Sequence, residues 1–523
     1  MADVRPFRGI RYNARMIGDL SSVITPPYDV ITPEQQSSYH RRNPHNIIRL
    51  EFGQEFSDDI PDYSVGRASC PSSANKYTRA ANTLNDWLRD GVLVRDQHPA
   101  FYLTEHRVPY LDSHRSYWGL IAAVRLEKLG AGRIRPTEIT MKKPSIDRLN
   151  LIRACRANLS PIMGIFNQSG VSGQGLGVSP HPVPPTTDNR TPATDLRGGL
   201  QPLLASLDDP TLTAVDDFGV TFNVWVVTEA EMVRRIAEFL ADRVIYIADG
   251  HHRYEMALVY RDEQLAAHPG SSGNEPFNFV MMTLIDSQDP GLALLPVHRL
   301  VKGIESERMA KLEEKLADYF HIEEVPYSKE AGSLESGVWS LESGVWGLES
   351  RVRGGKERDS RLSTLDSRLS TWAKALKEAG DRGMAFGLYG LSGCSAGARP
   401  RQGKFYLLTP KTYLHKMLPG DKPPAWKDLD VSFLHWVILR GMLGIDSPEK
   451  EMEYLEYSAD GREVLRKVDT GMSQLAFFLN PVPISSLFAV ADAGVRMPPK
   501  STYFYPKTPA GLVTNPLWEF DKG

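Results

Sequence analysis

The chain has 523 residues, of which 41% are hydrophobic and 24% charged, and its formal net charge at pH 7 is −3. One core rarely serves more than about 250–300 residues, so we expect two or three domains. The slightly acidic balance argues against a general nucleic-acid or anionic-membrane binder, although a local basic site remains compatible with it. We find no apolar run of the roughly 18–20 residues that a membrane span needs, and no signal peptide. The three cysteines are far apart and form no CxxC, which suggests a reducing, cytoplasmic compartment.

Residues 1–118 are predicted to form a mixed α/β region. Strands are expected at "SSVITPPYDVIT" and "NIIRLEF", and as a pair at "AFYLTEHRV" and "YWGLIAAVRLEKL". Between them, residues 74–90 have apolar side chains at helical spacing, which predicts an amphipathic helix. Asp29 follows two prolines that make its loop rigid, and taken alone it favours a structural role.

Residues 119–300 are predicted to be the central domain. Ser145 follows a proline and is expected to cap a helix over 145–159, after which "SPIMGIF" is typical of a short buried strand. Further strands are expected at "VTFNVWVVT" and "FNFVMMTLI", with an amphipathic helix over 230–241. Residues from about 168 to 200 are dense in Gly, Pro, Ser and Thr, which predicts a disordered surface insertion.

Residues 301–401 are predicted to be a linker that carries a second insertion over 328–372. "SLESGVW" occurs twice in succession, and "DSRLST" occurs twice further on, each with a period of seven residues. Such spacing can form a short amphipathic or coiled helix, but the glycines of the first repeat weaken that interpretation. We therefore expect an expanded surface loop, with a partner-binding helix as the alternative.

Residues 402–523 are predicted to form a C-terminal α/β region. "KFYLLT" and "SQLAFFLNPV" are typical of strands, and "VSFLHWVILRGML" of a helix. With the segments before it, this region predicts an α+β fold that is interrupted by two low-complexity insertions.

The stretch "VIYIADGHHRYEMAL" places an acid, a glycine, two histidines and an arginine where a predicted strand meets a predicted helix. A helix that begins at Gly250 directs free N–H groups and a partial positive charge into one crevice, which favours an anion. Arg253 can bind two phosphate oxygens, and His251 and His252 can donate hydrogen bonds or act as acid or base. Asp249 can hold Mg²⁺ or orient a histidine. The alternative is an ordinary helix start that Asp249 caps, but the flanking strand and helix favour the anion site.

Glu138 lies at a predicted strand end in the cation-rich segment "IRPTEITMKKPSIDR". A carboxylate among cations, of which Arg148 is one, can stay ionised and serve as a general base. The alternative is an exposed strand-to-helix loop with solvated charges, and the segment taken alone favours it.

The tail segment "PPKSTYFYPK" supplies hydrogen-bond donors and contains no carboxylate. Lys500, Ser501, Thr502 and Lys507 are therefore candidates for binding a phosphate or carboxylate group. A packed C-terminal strand with turns set by the prolines is an equally good interpretation.

Two further candidates, His298 and Arg299, lie in "PVHRL", where a structural role is favoured. The sequence contains no Walker loop, GxGxxG, GxSxG or EF-hand motif, so a nucleotide would need another binding architecture. A zinc site is disfavoured, because adjacent histidines are poorly placed to share one metal and neither HExxH nor a cysteine cluster occurs.

Several motifs, in this order, make the chain similar to the bacterial and archaeal domain-of-unknown-function family 1015. They are "PPYDVI", "NIIRL", "TEIT", "DRLNL", "SPI", "ADGHHRYEMAL", "DPGL", "PVHRL" and "MPPKSTYFYPK". The resemblance covers nearly the whole chain outside the two insertions, and the family name implies no activity.

The order of Glu138, the "SPI" strand and the ADGHHR box also resembles the ParB/sulfiredoxin-like fold. Within that superfamily, the box is similar to that of the free-serine kinases, where it sits against nucleotide phosphates while a glutamate activates the serine hydroxyl. The resemblance implies a ParB/sulfiredoxin-like central domain, with Glu138 as the base and residues 249–253 as the phosphate side. Thr137 stands where those kinases usually have a histidine, so the resemblance is incomplete next to the base.

We therefore predict a nucleotide-dependent phosphotransferase, a small-molecule kinase that acts on a hydroxylated metabolite such as serine. The implied cofactors are Mg²⁺ and a nucleoside di- or triphosphate, and the implied catalytic residues are Glu138, Asp249 and His252. One alternative is a nucleotide-sensing, nucleic-acid-associated ParB-like binding protein, which the net charge and the lack of a recognisable helix-turn-helix disfavour. Another is a phosphoester hydrolase that uses the same site. The phosphate donor, the acceptor and the oligomeric state stay open.

Overall fold

The computed structural model describes residues 2–57, 59, 75–110, 113–140, 142–167, 208–326, 360–391, 403–411 and 414–518. The insertion predicted at about 168–200 and the "SLESGVW" repeats lie outside these residues.

The strands of the described residues are short, apart from one long hairpin. In chain order they are β1 (Val4–Arg5), β2 (Ile10–Tyr12), β3 (Leu93–Arg95), β4 (Phe101–Tyr110), β5 (Ser113–Arg125), β6 (Ile134–Pro136), β7 (Ala157–Asn158), β8 (Ile162–Phe166), β9 (Leu212–Val215), β10 (Thr221–Val227), β11 (Ile245–Asp249), β12 (Phe279–Asp286), β13 (Ala293–Leu295), β14 (His298–Val301), β15 (Phe320–Glu324), β16 (Phe386–Tyr389), β17 (Phe405–Pro410), β18 (Leu455–Ser458), β19 (Leu475–Phe478), β20 (Tyr503–Tyr505) and β21 (Asn515–Pro516).

The α-helices of the same residues range from about one turn to nearly six. They are α1 (Ala14–Ile17), α2 (Pro33–Arg42), α3 (Ile48–Glu51), α4 (Lys76–Arg89), α5 (Lys142–Cys155), α6 (Ala230–Ala241), α7 (His251–Ala267), α8 (Ser306–Tyr319), α9 (Ser360–Gly380), α10 (Pro424–Lys427), α11 (Asp430–Phe433), α12 (Pro448–Tyr454), α13 (Gly461–Asp469) and α14 (Ile484–Asp492). A π-helical segment, Leu434–Met442, continues α11.

Within the described residues, the larger sheet has nine strands, in the order β6-β11-β8-β12-β5-β4-β10-β9, with β1 paired to β5. The β6–β11 and β8–β12 pairs are parallel, and the other pairs are antiparallel. Both faces of β8 are covered, because Ile162 and Phe166 enter one hydrophobic cluster while Met163 and Ile165 enter another. This double burial explains why "IMGIF" is a continuous apolar run rather than an alternating one.

The smaller sheet, as far as the structure describes the chain, has six antiparallel strands, in the order β15-β17-β16-β19-β14-β18. Helices pack on both sheets, so the chain has the predicted α+β fold.

The two sheets divide the chain at other positions than the boundaries predicted from the sequence. The division at 118/119 falls inside β5, and β17, from beyond residue 402, pairs with β15 and β16 from before it. Hydrogen bonding between strands that are distant in the sequence, rather than the composition of the linkers, sets these units.

The C-terminal tail returns to the larger sheet after α14. Met497 forms a parallel bridge with Glu138, and β20 pairs with β13. Further along, Ala510 bridges Thr25, and β21 pairs with β7. The tail is therefore part of the folded core region and crosses the edge of the sheet at which Glu138 lies.

Most of the predicted elements are confirmed, including the helix over 230–241, but three local predictions are wrong. "NIIRLEF" contains α3, which starts where the Asn46 side chain accepts a hydrogen bond from the Ile48 N–H. "SSVITPPYDVIT" forms 3₁₀ turns instead of a strand, since its prolines cannot donate to a sheet. Helix α5 begins at Lys142, so Ser145 lies inside the helix instead of capping it. A proline is tolerated in the first turn because the N–H that it lacks would have no partner there.

Part of the second predicted insertion is helical. The second "DSRLST" copy lies within α9, where Leu369, Trp372 and Leu376 are buried in a hydrophobic cluster of the smaller sheet. The Trp372 ring stacks on Phe405 with the ring centres 4.8 Å apart. The expectation of a surface loop is therefore wrong for residues 360–372, because the apolar face of the helix packs on its own sheet.

Among the helices of the described chain, none combines the length and the apolarity that a membrane crossing requires.

Candidate functional site

Strand pairing brings Glu138 to the start of helix α7. Strands β6 and β11 run parallel, with Ile134 opposite Ile245 and Pro136 opposite Ile247. The carboxyl ends of adjacent parallel strands meet at the same edge of a sheet, where open α/β sheets bind their ligands. The residues that follow β6 therefore lie beside those that follow β11.

Gly250 makes the turn from β11 into α7. Its φ of 89° is in the left-handed region, which glycine adopts without a steric penalty. No side chain caps the helix at Gly250. The partial positive charge at the start of α7 therefore stays available to an anion, as the predicted anion site requires.

Asp249 binds cations instead of capping the helix. Its Oδ2 atom accepts from Arg253 Nη2 at 2.6 Å, and its Oδ1 atom accepts from Lys507 Nζ. Arg253 also donates through Nη1 to the Pro161 carbonyl at 2.6 Å and to Ser160 Oγ at 3.0 Å. The capped-helix alternative is therefore wrong, and the Asp249 carboxylate orients the two cations beside the helix start.

Lys507 lies between two carboxylates. Besides Asp249, it contacts Asp29 Oδ2 at 3.3 Å, and Lys500 Nζ approaches the same Asp29 oxygen at 3.4 Å. Burial alone would raise the pKa of Asp29, but Lys507, Lys500 and Arg253 together hold it well below its usual range. With three cations and two carboxylates, this charge cluster has a net charge of +1.

Glu138 is buried, with 8% of its surface exposed, and its carboxylate accepts two hydrogen bonds from Thr502. Its Oε1 atom receives the Thr502 hydroxyl at 2.7 Å and the Thr502 N–H at 2.8 Å. Burial raises the pKa of Glu138 above its usual value, while Thr502 and Lys500 oppose that rise. A buried carboxylate that accepts from a hydroxyl has the geometry of a general base for a hydroxyl substrate.

His251 holds the backbone of the Glu138 turn. Its Nε2 atom accepts from the N–H groups of Thr137 and Glu138, both at 3.2 Å, which requires a neutral ring with its proton on Nδ1. Burial lowers the pKa of His251 to about 3, with smaller effects from the nearby cationic residues, His252, Arg496, Lys500 and Arg253. His252 is half-buried in the same cleft, and burial followed by Lys500 lowers its pKa. The two histidines thus differ: His251 is fixed by backbone amides, whereas His252 faces the cleft.

We expect the neutral His251 to make the protein acid-sensitive. A histidine with a depressed folded pKa contributes stability at neutral pH, and this stability falls as the pH drops below about 6.5, where the unfolded ring takes up a proton. At pH 5 the loss is about 2 kcal/mol for a ring that stays neutral when folded. His251→Gln should reduce the proton uptake on unfolding between pH 7 and 5, measured from chemical denaturation at several pH values. An unchanged slope would contradict a neutral, buried His251.

The cleft around these residues has a volume of about 1030 Å³. It contains most of the predicted site residues, namely Asp29, Glu138, Asp249, Gly250, His251, His252, Arg253, Lys500, Thr502 and Lys507. The opposite wall comes from β18 of the smaller sheet and from α13. Its polar lining residues, which our sequence interpretation missed, are Glu456, Tyr457, Ser458, Asp460, Arg462, Glu463, Arg466 and Lys467. The sequence did carry a signal for this wall. Asp460 is a typical N-cap, and Arg462 and Arg466 follow it four residues apart, which predicts a helix with a basic face.

Four predicted candidates do not line the cleft. Arg148 pairs with Asp147 and with Glu51 at 3.4 Å. His298 is buried, and its Nδ1 atom accepts from Leu479 N–H at 3.3 Å. Ser501 is also buried and donates to the Pro498 carbonyl at 2.7 Å.

Two of these four residues contact residues that line the cleft. The Arg148 guanidinium lies over the ring of Tyr28 at 3.8 Å, and Tyr28 lines the cleft. Arg299, the fourth candidate, is buried and donates to the Pro499 carbonyl at 3.4 Å, which helps to hold the turn before Thr502.

The fit of Mg²⁺ to Asp249 is poor. Both oxygens of Asp249 are already bound by Lys507 and Arg253. Within the described residues, no group of three or more His, Cys, Asp or Glu side chains is arranged to hold a metal ion. We therefore assign no chemical step to an ion held by Asp249.

Comparison with known families tests the resemblance that the motifs indicate. A family model described as "Protein of unknown function (DUF1015)" matches residues 4–176 and 192–432, which is more than half of the chain. The chain belongs to the DUF1015 family. This membership confirms the resemblance, and the family description assigns no activity.

Among solved structures, the chain matches a conserved hypothetical protein from Pyrococcus furiosus, with 11% identity and a TM-score of 0.30. That match covers 72% of this chain and 90% of the other. A free serine kinase variant in complex with AMP has 10% identity and a TM-score of 0.29, covering 71% of this chain and 84% of the kinase. Another variant, in complex with ADP, has 11% identity, a TM-score of 0.28 and the same coverages. None of the curated proteins compared with the sequence matches it.

Proposed function

We propose that the protein is a nucleotide-dependent phosphotransferase that transfers a phosphoryl group to a small hydroxylated metabolite. The observation that carries the proposal is the contact between the Glu138 turn and the first residue of α7, through His251 Nε2 at 3.2 Å. A buried carboxylate and an anion-binding helix start thereby share one cleft. A serine-like hydroxy acid is the first acceptor to test, because the ADGHHR box resembles that of the free-serine kinases.

The phosphates of the donor are proposed to lie at the start of α7. The uncapped N–H groups and helix dipole attract an anion, and the charge cluster adds Arg253, Lys500 and Lys507. Phosphoryl transfer depends mainly on positioning and on neutralising charge at the phosphate oxygens, which such a cationic surface can supply. Among the three cations, Lys500 is the most exposed and therefore the most available to a ligand.

Glu138 is proposed to accept the proton of the attacking hydroxyl. Burial raises the pKa of Glu138 toward physiological pH, and a general base is most effective when its pKa lies near the operating pH. In the structure, the Oε1 atom of Glu138 already accepts a hydroxyl at 2.7 Å, that of Thr502. An acceptor hydroxyl at the same oxygen would be placed for attack on a phosphate bound at α7.

Turnover assays test this function directly. The protein is incubated with ATP, ADP or CTP and with L-serine or a related hydroxy acid, with and without Mg²⁺, and phosphorylated product and free phosphate are measured. We expect phosphorylated product with at least one donor and acceptor pair. If a folded sample consumes no nucleotide with any acceptor, the proposal fails. Release of free phosphate without phosphorylated product would instead indicate a phosphoester hydrolase.

Arg253 offers a test of the donor site. Arg253→Ala should weaken nucleotide binding by about 10- to 100-fold, because a hydrogen bond to a charged group contributes about 1.5–3 kcal/mol. Arg253→Lys should give an intermediate affinity, since it keeps the charge and loses the planar fork. The dissociation constants are measured by calorimetry, with the melting temperatures recorded in parallel. A variant that melts earlier yet binds nucleotide as tightly as wild type would assign Arg253 a structural role only.

As a control, Arg234→Ala removes an arginine from the exposed surface of α6. Arg234 bonds to Glu231 and Glu238 of its own helix and does not line the cleft. Its removal should leave both nucleotide affinity and stability close to wild type, because exposed ion pairs contribute little.

A further inference from the structure

The hydroxyl group of Thr502 is hydrogen-bonded to the carboxylate that we propose as the general base. It donates its proton to Glu138 Oε1 at 2.7 Å, and the Thr502 N–H donates to the same oxygen at 2.8 Å. Two hydrogen bonds to one oxygen fix the hydroxyl on the carboxylate. Because the proton points at Glu138, the lone pairs of the hydroxyl oxygen are directed away from the base.

Thr502 is accessible from the cleft in which the phosphate donor is proposed to bind. Its side chain is half-buried and lines the same cavity as residues 249–253. Lys500 lies two residues before it, and Lys507 is bound to Asp249 of the box. The Lys500 backbone has a φ of 54°, an uncommon conformation for a residue with a side chain, so the turn that presents Thr502 is locally strained.

We propose that Thr502 is a site of self-phosphorylation. This inference rests on the proposed function, because it uses the same donor site and the same base. The Thr502 Oγ1 atom attacks the terminal phosphorus of a bound nucleoside triphosphate and forms a new P–O bond. The P–O bond to the departing nucleoside diphosphate breaks, and the hydroxyl proton passes to Glu138 Oε1.

The product would be stabilised by the charges already present. A phosphothreonine carries a charge of about −1.5 to −2 at neutral pH and three strong acceptor oxygens. Lys500, Lys507 and Arg253 line the cleft as part of a net positive cluster that can accommodate this group. The external acceptor and Thr502 would then compete for one base oxygen, so Thr502 phosphorylation removes the base from turnover.

Other hydroxyls nearby are less suited to attack. Ser501 is buried and donates to the Pro498 carbonyl, which cannot take up its proton. Ser458, on the opposite wall, donates to Glu463 Oε2 at 2.6 Å. Ser458 is itself buried, and Glu463 is half-buried and ion-paired to Lys467, so this carboxylate is less desolvated than Glu138 and already neutralised by a cation.

The test uses the full chain with ATP labelled at the terminal phosphate and no external acceptor. Incorporation is followed by intact mass, and the site is located by peptide mapping. We expect one phosphate per chain at Thr502, none in Thr502→Val, and retained labelling of residue 502 in Thr502→Ser, which keeps the hydroxyl. Glu138→Gln should slow labelling by roughly a hundredfold or more. Ser501→Ala, the adjacent buried hydroxyl, should label like wild type.

The outcomes separate this inference from the proposed function. If wild type phosphorylates an external hydroxy acid while residue 502 stays unlabelled, self-phosphorylation is overturned and the phosphotransferase stands. Label at Ser458 with none at Thr502 also overturns it. If no nucleotide is turned over onto Thr502 or onto any acceptor, both the inference and the proposed function fail. If Thr502→Val loses its label because it does not fold, Thr502→Ser still decides the question. It keeps the hydroxyl, so residue 502 must still be labelled in that variant.

Discussion

Replacing Glu138 with glutamine is expected to lower phosphoryl transfer by about 10²–10⁴-fold, the usual contribution of a general base. Glutamine has the same size, and its carbonyl oxygen can still accept both hydrogen bonds from Thr502. The turn at residue 502 should therefore stay in place, and nucleotide affinity should be unchanged. A loss of turnover at constant affinity, measured by steady-state kinetics and calorimetry, would identify a residue that acts in the transition state.

The pH profile gives this prediction a second measurement. Burial raises the pKa of Glu138, and a base is inactive when protonated, so wild-type turnover should fall as the pH decreases through that raised pKa. The acidic limb should be absent from the residual activity of Glu138→Gln. If the variant keeps both its turnover and its acidic limb, another group is the base.

Glu51→Gln is the matched control for Glu138→Gln. Glu51 is also a buried carboxylate that accepts from a hydroxyl, that of Ser160 at 2.8 Å, and burial raises its pKa. It does not line the cleft. The same chemical change at Glu51 should alter stability through its contact with Arg148 and leave turnover in place.

Replacing Lys507 with methionine is expected to have the largest effect on stability, about 3 kcal/mol, because it leaves buried charge without its partner. The Lys507 side chain is 10% exposed, and its ammonium group contacts both Asp29 and Asp249, whose side chains are 21% and 15% exposed. Burial by itself would lower the pKa of Lys507, but the two carboxylates raise it above its usual value. Chemical denaturation of wild type and Lys507→Met measures the difference in unfolding free energy.

The sign of the pH dependence follows from Asp29. Its folded pKa is depressed, so the stability it contributes is present above the unfolded value near 3.9 and is lost as the pH falls below it. In Lys507→Met the Asp29 carboxylate loses the cation that lowers its pKa most, while Lys500 and Arg253 remain, so its folded pKa rises toward the unfolded value. The stability difference between wild type and variant should therefore be largest near pH 7 and shrink toward pH 3. A constant difference would mean that Lys507 acts through packing alone.

Lys311→Met is the surface control for Lys507→Met. Lys311 pairs with Glu307 at 2.7 Å, but both side chains are exposed, at 58% and 81%. Such a pair contributes about 0.3–0.5 kcal/mol in a helix, so the same substitution should barely change the unfolding free energy. The contrast isolates burial as the cause of the effect at Lys507.

The sequence determined the local parts of the site. A buried strand ending at Asp249, a glycine turn and a following helix were predictable, because apolar runs and glycine conformations act over a few residues. The same reasoning identified Glu138 as a strand-end carboxylate. It failed at "NIIRLEF", where the Asn46 side chain starts a short helix, and at residues 360–372, where packing on the smaller sheet decided between helix and loop.

The sequence did not determine how these parts meet. The bond between Lys507 and Asp249 joins residues 258 positions apart, and the opposite wall of the cleft comes from β18 of the smaller sheet and from α13. Such contacts leave no periodic signal, because they depend on which strands pair and on where the tail returns after α14. Only the tertiary structure turned Asp249 from a proposed metal ligand or cap into the anchor of Lys507 and Arg253. It also placed the Thr502 hydroxyl on Glu138, because the parallel pairing of β6 with β11 brings that carboxylate under the returning tail.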